Sequence, residues 1–107
     1  MSASQSVSDT SFESEVLKSS TPVLVDFYAD WCGPCKAMSP LIDELAGAMG
    51  GQVKIVKVNI DESPNAPTKY GVRGVPTFMV FKDGKVADQR VGGMSKTQLS
   101  DWVKSVI

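Results

Sequence analysis

The segment Val23-Leu24-Val25-Asp26-Phe27-Tyr28-Ala29-Asp30-Trp31-Cys32-Gly33-Pro34-Cys35 passes from an apolar run into a turn that carries both cysteines of the chain. Val23 to Tyr28 is apolar except for Asp26. A strand with one wet face alternates apolar and polar residues, so this continuous run reads as a central strand buried on both faces. Gly33-Pro34 then opens a helix, because proline in the first turn lacks an N–H that would have had no partner there. Met38, Leu41, Ile42, Leu45 and Met49 follow at helical spacing and make its buried stripe. Pro40 is expected to bend that helix, and Gly50-Gly51 to end it.

Upstream, residues 1–7 read as a loose arm or a short edge strand. Thr10-Ser11-Phe12-Glu13 has the pattern of a capping box, with Phe12, Val16 and Leu17 on one helical face. Downstream, residues 53–58 form a second strand rich in β-branched side chains, residues 59–63 a polar loop, and residues 65–70 a short helix stopped at Gly71. Residues 77–81 and 86–91 flank Lys82-Asp83-Gly84-Lys85, a hairpin signal. Ser95-Lys96-Thr97-Gln98 is a second capping box, and the closing helix sets Leu99, Trp102, Val103 and Val106 on one face. A strand–helix–strand unit followed by a hairpin and a helix predicts an α/β chain, its mixed sheet covered by helices on both sides. No repeat or low-complexity linker divides the 107 residues, which are expected to form one domain.

Composition narrows the chemistry. Net charge is −1 with no run of like charges, so nothing forms an electrostatic footprint for nucleic acid or an anionic membrane. No apolar run is long enough to span a bilayer, and the Ser-rich, acidic N-terminal stretch lacks the basic and apolar regions of a signal peptide. A cytoplasmic protein is the expectation. The chain has no histidine. That excludes Ser–His and Cys–His nucleophile pairs and the usual His-containing metal sites. Two cysteines alone do not complete a tetrahedral zinc site.

The spacing Cys32-Gly33-Pro34-Cys35 by itself leaves a redox pair, a structural bridge and half a metal site open. As a staple the bridge is weak. Closing so short a loop is worth about 2 kcal/mol in the chain-entropy model, and a reducing compartment tends to open it. The location, where a buried strand ends and a helix begins, favours redox chemistry. Unpaired N–H groups and the dipole at a helix N-terminus favour a thiolate at Cys32, and the thiolate is what attacks a disulfide. Cys35, one turn further in, is expected to be more shielded and to act as the resolving thiol. Asp26 lies in an apolar strand, where burial raises a carboxyl's pKa toward neutral pH; a merely structural buried ion pair is the competing reading. Trp31, at a strand end before a Gly-Pro turn, is expected to lie exposed beside Cys32.

Phe27-Tyr28-Ala29-Asp30-Trp31-Cys32-Gly33-Pro34-Cys35-Lys36 resembles the active-site signature of the thioredoxin family. Asp26, Pro40, Lys57, Gly71, Gly84 and Gly92, with Val75-Pro76-Thr77, stand where that family's pattern expects them, and the likeness runs from the first helix to the C-terminus. Departures are Tyr28, where many members have tryptophan, Pro67 within the short helix, and Gly93, commonly alanine. The resemblance implies the thioredoxin fold, a central mixed sheet of about five strands flanked by four helices. It also implies a protein dithiol–disulfide oxidoreductase: Cys32 attacks, Cys35 resolves, Asp26 exchanges a proton with Cys35, and Lys57 pairs near Asp26.

Only about one X–Pro bond in twenty is cis, so Val75-Pro76 alone reads as trans. The resemblance implies the cis form, facing the cysteines, with the Val75 backbone free to pair with an extended substrate segment. Gly33 and Pro34 would then form the active-site turn, and Trp31, Gly74, Val75, Pro76, Gly92 and Gly93 a shallow apolar docking surface. The implied partners are disulfide-containing substrate proteins and a thioredoxin reductase, the protein being a monomer with no cofactor and no metal. Two other classes compete. Joint retention of the dithiol, Trp31, Asp26 and Pro76 disfavours a thioredoxin-fold binding subunit with incidental cysteines. A metal or copper carrier is disfavoured because no further Met or Cys ligand stands near Cys32.

Overall fold

Residues 4–107 are described by a computed structural model. The apolar run forms β2 (Val23–Tyr28), the middle strand of a five-stranded sheet ordered β1-β3-β2-β4-β5. Its neighbours are β1 (Gln5–Ser6), β3 (Lys54–Asn59), β4 (Thr77–Lys82) and β5 (Lys85–Val91). β3 runs parallel to both β1 and β2, whereas β4 runs antiparallel to both β2 and β5. Every residue from Val23 to Phe27 is at most 2% exposed. Alternate side chains of a strand leave on opposite faces, and here each face has its own core. Val23, Val25 and Phe27 pack with Phe12, Val16, Val56 and Phe81. Leu24 packs on the other side with Met38, Ile42, Ile55, Phe78 and Trp102. That second face is covered by α1 (Gly33–Met49) and α3 (Lys96–Val106), the first by a π-helix (Glu13–Leu17) and α2 (Asn65–Lys69). Asp26 shares parity with Leu24, and Lys57 with Ile55, so both point toward α1.

Most local signals act as expected. α1 runs unbroken through Pro40, which is exposed, and ends at Gly50. At the start of α3, Ser95 Oγ accepts the Gln98 N–H at 3.1 Å, and Gln98 Oε1 accepts the Ser95 N–H at 2.9 Å. In the hairpin, Asp83 and Gly84 have φ of 52° and 79°, the left-handed pair that a tight turn between twisted strands requires. A Cβ at Gly84 would meet the Leu17 carbonyl oxygen at 3.0 Å, so glycine is required there twice over.

Two expectations are corrected. The Thr10 capping box does not form: Thr10 Oγ1 bonds Ser8 Oγ at 2.8 Å, and Ser11 Oγ takes the Ser8 N–H at 3.0 Å. The hydroxyls close a turn among themselves, and the helix begins later, without a side-chain cap. It is wound as a π-helix, with the Lys18 N–H reaching the Glu13 carbonyl at 2.9 Å. The strand expected over residues 53–58 is shifted to end at Asn59, which is buried. Its Oδ1 accepts the N–H groups of Asp61 and Glu62 at 2.9 and 3.3 Å, so a polar side chain belongs to the sheet by closing the turn after it. Of the N-terminal arm, Gln5–Ser6 is an edge strand on β3, while the part at residues 1–3 lies outside the described residues.

Candidate active site

The end of β2 and the start of α1 place the sulfurs. Cys32 is the N-cap of α1, in extended conformation, and its Sγ accepts the Cys35 N–H at 3.1 Å. Gly33 and Pro34 form the exposed turn between the cysteines, whose Cα atoms are 5.2 Å apart and which are joined as a disulfide. Each cysteine is 4% exposed, so the expected difference in shielding is absent from this bridged form. Both pack together against Ala29, Tyr28, Ile60 and Val75.

What separates the cysteines is the cleft beneath them. Cys35 lines it together with Asp26, Ser39, Asp43 and Lys57, and Cys32 does not. Cys35, Ser39 and Asp43 stand four residues apart along α1 and therefore share one face of the helix. Asp26 and Lys57 are register partners on parallel strands, forming the floor. Asp26 is 2% exposed, and its Oδ1 has no hydrogen-bond partner. Burial pushes its pKa up to about 7; the Lys57 charge pulls in the opposite direction, and the Asp43 charge adds to the rise.

Lys57 stands beside Asp26, in register on the neighbouring strand, but the two make no direct bond. The Lys57 ammonium donates to Ser39 Oγ at 2.7 Å and forms its ion pair with Asp43 Oδ1 at 3.5 Å. The lysine stem crosses the cleft to oxygens on α1, leaving Asp26 beside it on the sheet without a direct bond. Ser4 Oγ donates to the same Asp43 oxygen at 2.5 Å.

Around the sulfurs, Trp31 is 70% exposed, and its Nε1 donates to Asp61 Oδ2 at 2.9 Å. The Val75–Pro76 bond is cis. Val75 packs on the cysteine cluster, and Thr77 Oγ1 donates to the Gly74 carbonyl at 2.6 Å. The Gly92 N–H donates to the Pro76 carbonyl at 2.8 Å, which brings the Gly92-Gly93 turn to the cis-proline. An N-capping sulfur, a buried carboxyl under its partner cysteine and a cis Val75–Pro76 bond whose valine packs on the pair occur here together. The family model described as Thioredoxin matches residues 3–105.

The chain belongs to the thioredoxin family.

It is similar to the protein named thioredoxin of Rhodospirillum rubrum, at 54% identity over 101 residues, covering 94% of this chain and 97% of that one. The thioredoxin of Rickettsia felis is 52% identical, with 94% and 96% covered. That of Pseudomonas aeruginosa is also 52% identical, with 94% of each chain covered. This thioredoxin-family member is a dithiol–disulfide oxidoreductase, with Cys32 and Cys35 at the family's Trp-Cys-x-x-Cys position. Among the described residues, no helix is long and apolar enough to cross a membrane.

Several residues at the thioredoxin site carried no sequence signal as site members. Ser39 and Asp43 are legible only after α1 is drawn and its Cys35 face followed inward. Asp61 reaches Trp31 from the far end of β3, across thirty residues of chain. Val91, 67% exposed and paired with Thr77 across the hairpin, adds an apolar side chain beside the cis-proline strand.

Proposed function

We propose that this protein reduces disulfides of substrate proteins, with Cys32 as the attacking thiolate and Cys35 as the resolving thiol. A thioredoxin reductase then returns it to the dithiol form. The carrying observation is the one-sided cleft: Asp26 meets the cavity that Cys35 lines, while Cys32 caps α1. In the dithiol form, backbone N–H groups and the helix dipole favour a thiolate at Cys32. That thiolate attacks one substrate sulfur, the substrate S–S bond breaks, a mixed disulfide forms, and the other substrate sulfur leaves and takes up a proton. Asp26, as carboxylate, accepts the proton of Cys35. The Cys35 thiolate then attacks Cys32 Sγ, the mixed disulfide breaks, and the second substrate sulfur departs as a thiolate and is protonated. The substrate has gained two electrons and two protons, and the protein holds the Cys32–Cys35 bridge.

A carboxyl with a pKa of about 7 suits this role, because near neutral pH it both takes and releases a proton. Lys57, its register partner, adjusts that carboxyl by its charge. Trp31, Gly74, Val75, Pro76, Gly92 and Gly93 form the docking surface, where the Val75 backbone pairs with an extended substrate segment. Gly33 and Pro34 keep the turn free of bulk. The two sulfurs carry both electrons, so the reaction calls for no cofactor. We place the protein in the cytoplasm, acting as a monomer in which residues 1–107 are one thioredoxin domain.

Separating the two cysteines tests the assignment. Cys35→Ser should react with a disulfide substrate and stall, accumulating a covalent complex on non-reducing gels that dithiothreitol dissolves. Cys32→Ser should trap far less. Equal trapping by both variants would show that the roles are not divided, and trapping by Cys32→Ser alone would show them reversed.

A further inference from the structure

The cleft beneath Cys35 holds a second arrangement, which rests on the reading of Asp26 as proton acceptor for that cysteine. Asp26 and Lys57 are side by side in register, close enough for the lysine charge to be felt by the carboxyl. Two carboxyl groups stand near the lysine ammonium, Asp26 in register on the sheet and Asp43 on α1, and each could accept a charge-assisted hydrogen bond from it. Lys57 turns to α1: it donates to Ser39 Oγ at 2.7 Å and pairs with Asp43 Oδ1 at 3.5 Å. Both acceptors come from α1, on the face that also carries Cys35. The Asp43 oxygen is further held by Ser4 Oγ at 2.5 Å, so the acceptor is tied to the N-terminal edge of the sheet. The result is a buried carboxyl whose Oδ1 is unpartnered beside a cation that is bound elsewhere.

We propose that Ser39 and Asp43 are positioning residues: they hold the Lys57 ammonium on the helix side of the cleft, so that Asp26 works as a proton carrier for Cys35 and not as a fixed carboxylate in an ion pair. A direct Asp26–Lys57 pair would stabilise the charged carboxyl and hold it ionised through neutral pH, when it could no longer retain a proton long enough to return it. The charged and titratable groups around Asp26 are Lys57 from β3, Cys35, Lys36 and Asp43 from α1, and Tyr28 and Asp30 at the end of β2. β4 presents Phe78 in register, and its one lysine, Lys82, closes the strand's other end and donates to the Val106 carbonyl. Among these, Lys57 and Asp43 are the ones whose charges act on Asp26.

Ser39 gives the decisive test because it is uncharged. In the full-length oxidised protein, the Asp26 carboxyl ¹³C shift is followed against pH in Ser39→Ala, Asp43→Asn, Lys57→Met and the two double variants with Lys57→Met. Freed from its clamp, Lys57 should turn to Asp26. Ser39→Ala should therefore lower the Asp26 midpoint, and Asp43→Asn should lower it further, by about one pH unit, a tenfold loss of proton affinity. With Lys57→Met present, the Ser39→Ala shift should vanish, and the Asp43→Asn shift should shrink to the direct repulsion between two carboxylates. The pH profile of mixed-disulfide resolution should move to lower pH with the midpoint in Ser39→Ala and Asp43→Asn. Shifts that persist undiminished without Lys57, or midpoints that do not move, would overturn the clamp. An Asp26→Asn protein with an unchanged resolution profile would instead overturn the proton-acceptor reading beneath it.

Discussion

Asp26 keeps a carboxyl 2% exposed in the middle of the sheet, with Oδ1 unbonded. Ionising such a group is unfavourable, and its pKa rises from 3.8 to about 7. Between pH 3.8 and about 7 the folded protein therefore holds a proton that the unfolded chain has lost, and stability falls as pH rises through that window. Asp26→Asn removes the titration. Relative to the parent it should gain stability across the same window, on the order of 4 kcal/mol by the top of it. Denaturant unfolding of both proteins from pH 4 to pH 8 measures this, and a pH-independent difference would contradict it. With Asp26 proposed as the proton acceptor for Cys35, the same substitution should slow disulfide reduction; undiminished turnover would leave Asp26 a structural residue. Reading Asp26 as unusual took only its place in an apolar run. Its partners were another matter: Lys57 as neighbour is legible from the family pattern, but the direction of its ammonium is not.

Elements show the same division between local and distant partners. Both halves of the Ser95–Gln98 box lie within one turn, so the pattern in the chain is the structure. The Thr10 pattern is equally good on paper and fails, because the Thr10 hydroxyl is engaged by Ser8 Oγ in a local turn that Ser11 Oγ closes on the Ser8 N–H. α2 has no side-chain cap from its own N-cap, Pro64, yet its first N–H groups are satisfied. Asp9 accepts them from Asn65 and Ala66 at 3.0 and 2.9 Å, across more than fifty residues of chain. Pro67, the third residue of that helix, removes an N–H that had no intrahelical partner to lose. Asp9→Ala should cost about 1 kcal/mol. It should also speed amide exchange at Asn65 and Ala66 ahead of the rest of the protein; exchange that rises uniformly would deny a local cap. Gly84→Ala should destabilise by about 1–3 kcal/mol, since the left-handed φ and the Leu17 carbonyl both oppose a Cβ. Thermal unfolding reads this, and a neutral substitution would mean that the hairpin and the π-helix separate freely.

At the scale of the molecule, the surface around the sulfurs is assembled from the end of β2, the cis-proline segment before β4 and the turn after β5. The strand order, with β2 beside β4 and β4 beside β5, makes these ends neighbours. Trp31 and Val91 are the large exposed apolar side chains there, at 70% and 67%. Val91→Asp should raise KM for a folded protein disulfide several-fold while slowing reaction with a small aromatic disulfide far less. Equal loss on both substrates would locate the effect at the sulfurs and not at docking. The sequence by itself determined the buried central strand, the helix opened by Gly33-Pro34 and the two-sided sheet, because periodicity and turn chemistry are local signals; the place of the cysteines between strand and helix, with the family signature around them, favoured the redox pair that their spacing alone left open. Only the tertiary structure decided that Lys57 turns to Ser39 and Asp43, that Asp61 holds Trp31, that Asp9 caps α2 and that Val91 lies exposed beside the cis-proline strand. Each of those depends on the distance between groups far apart along the chain, and that distance is set by strand order and by the packing of helices on the sheet.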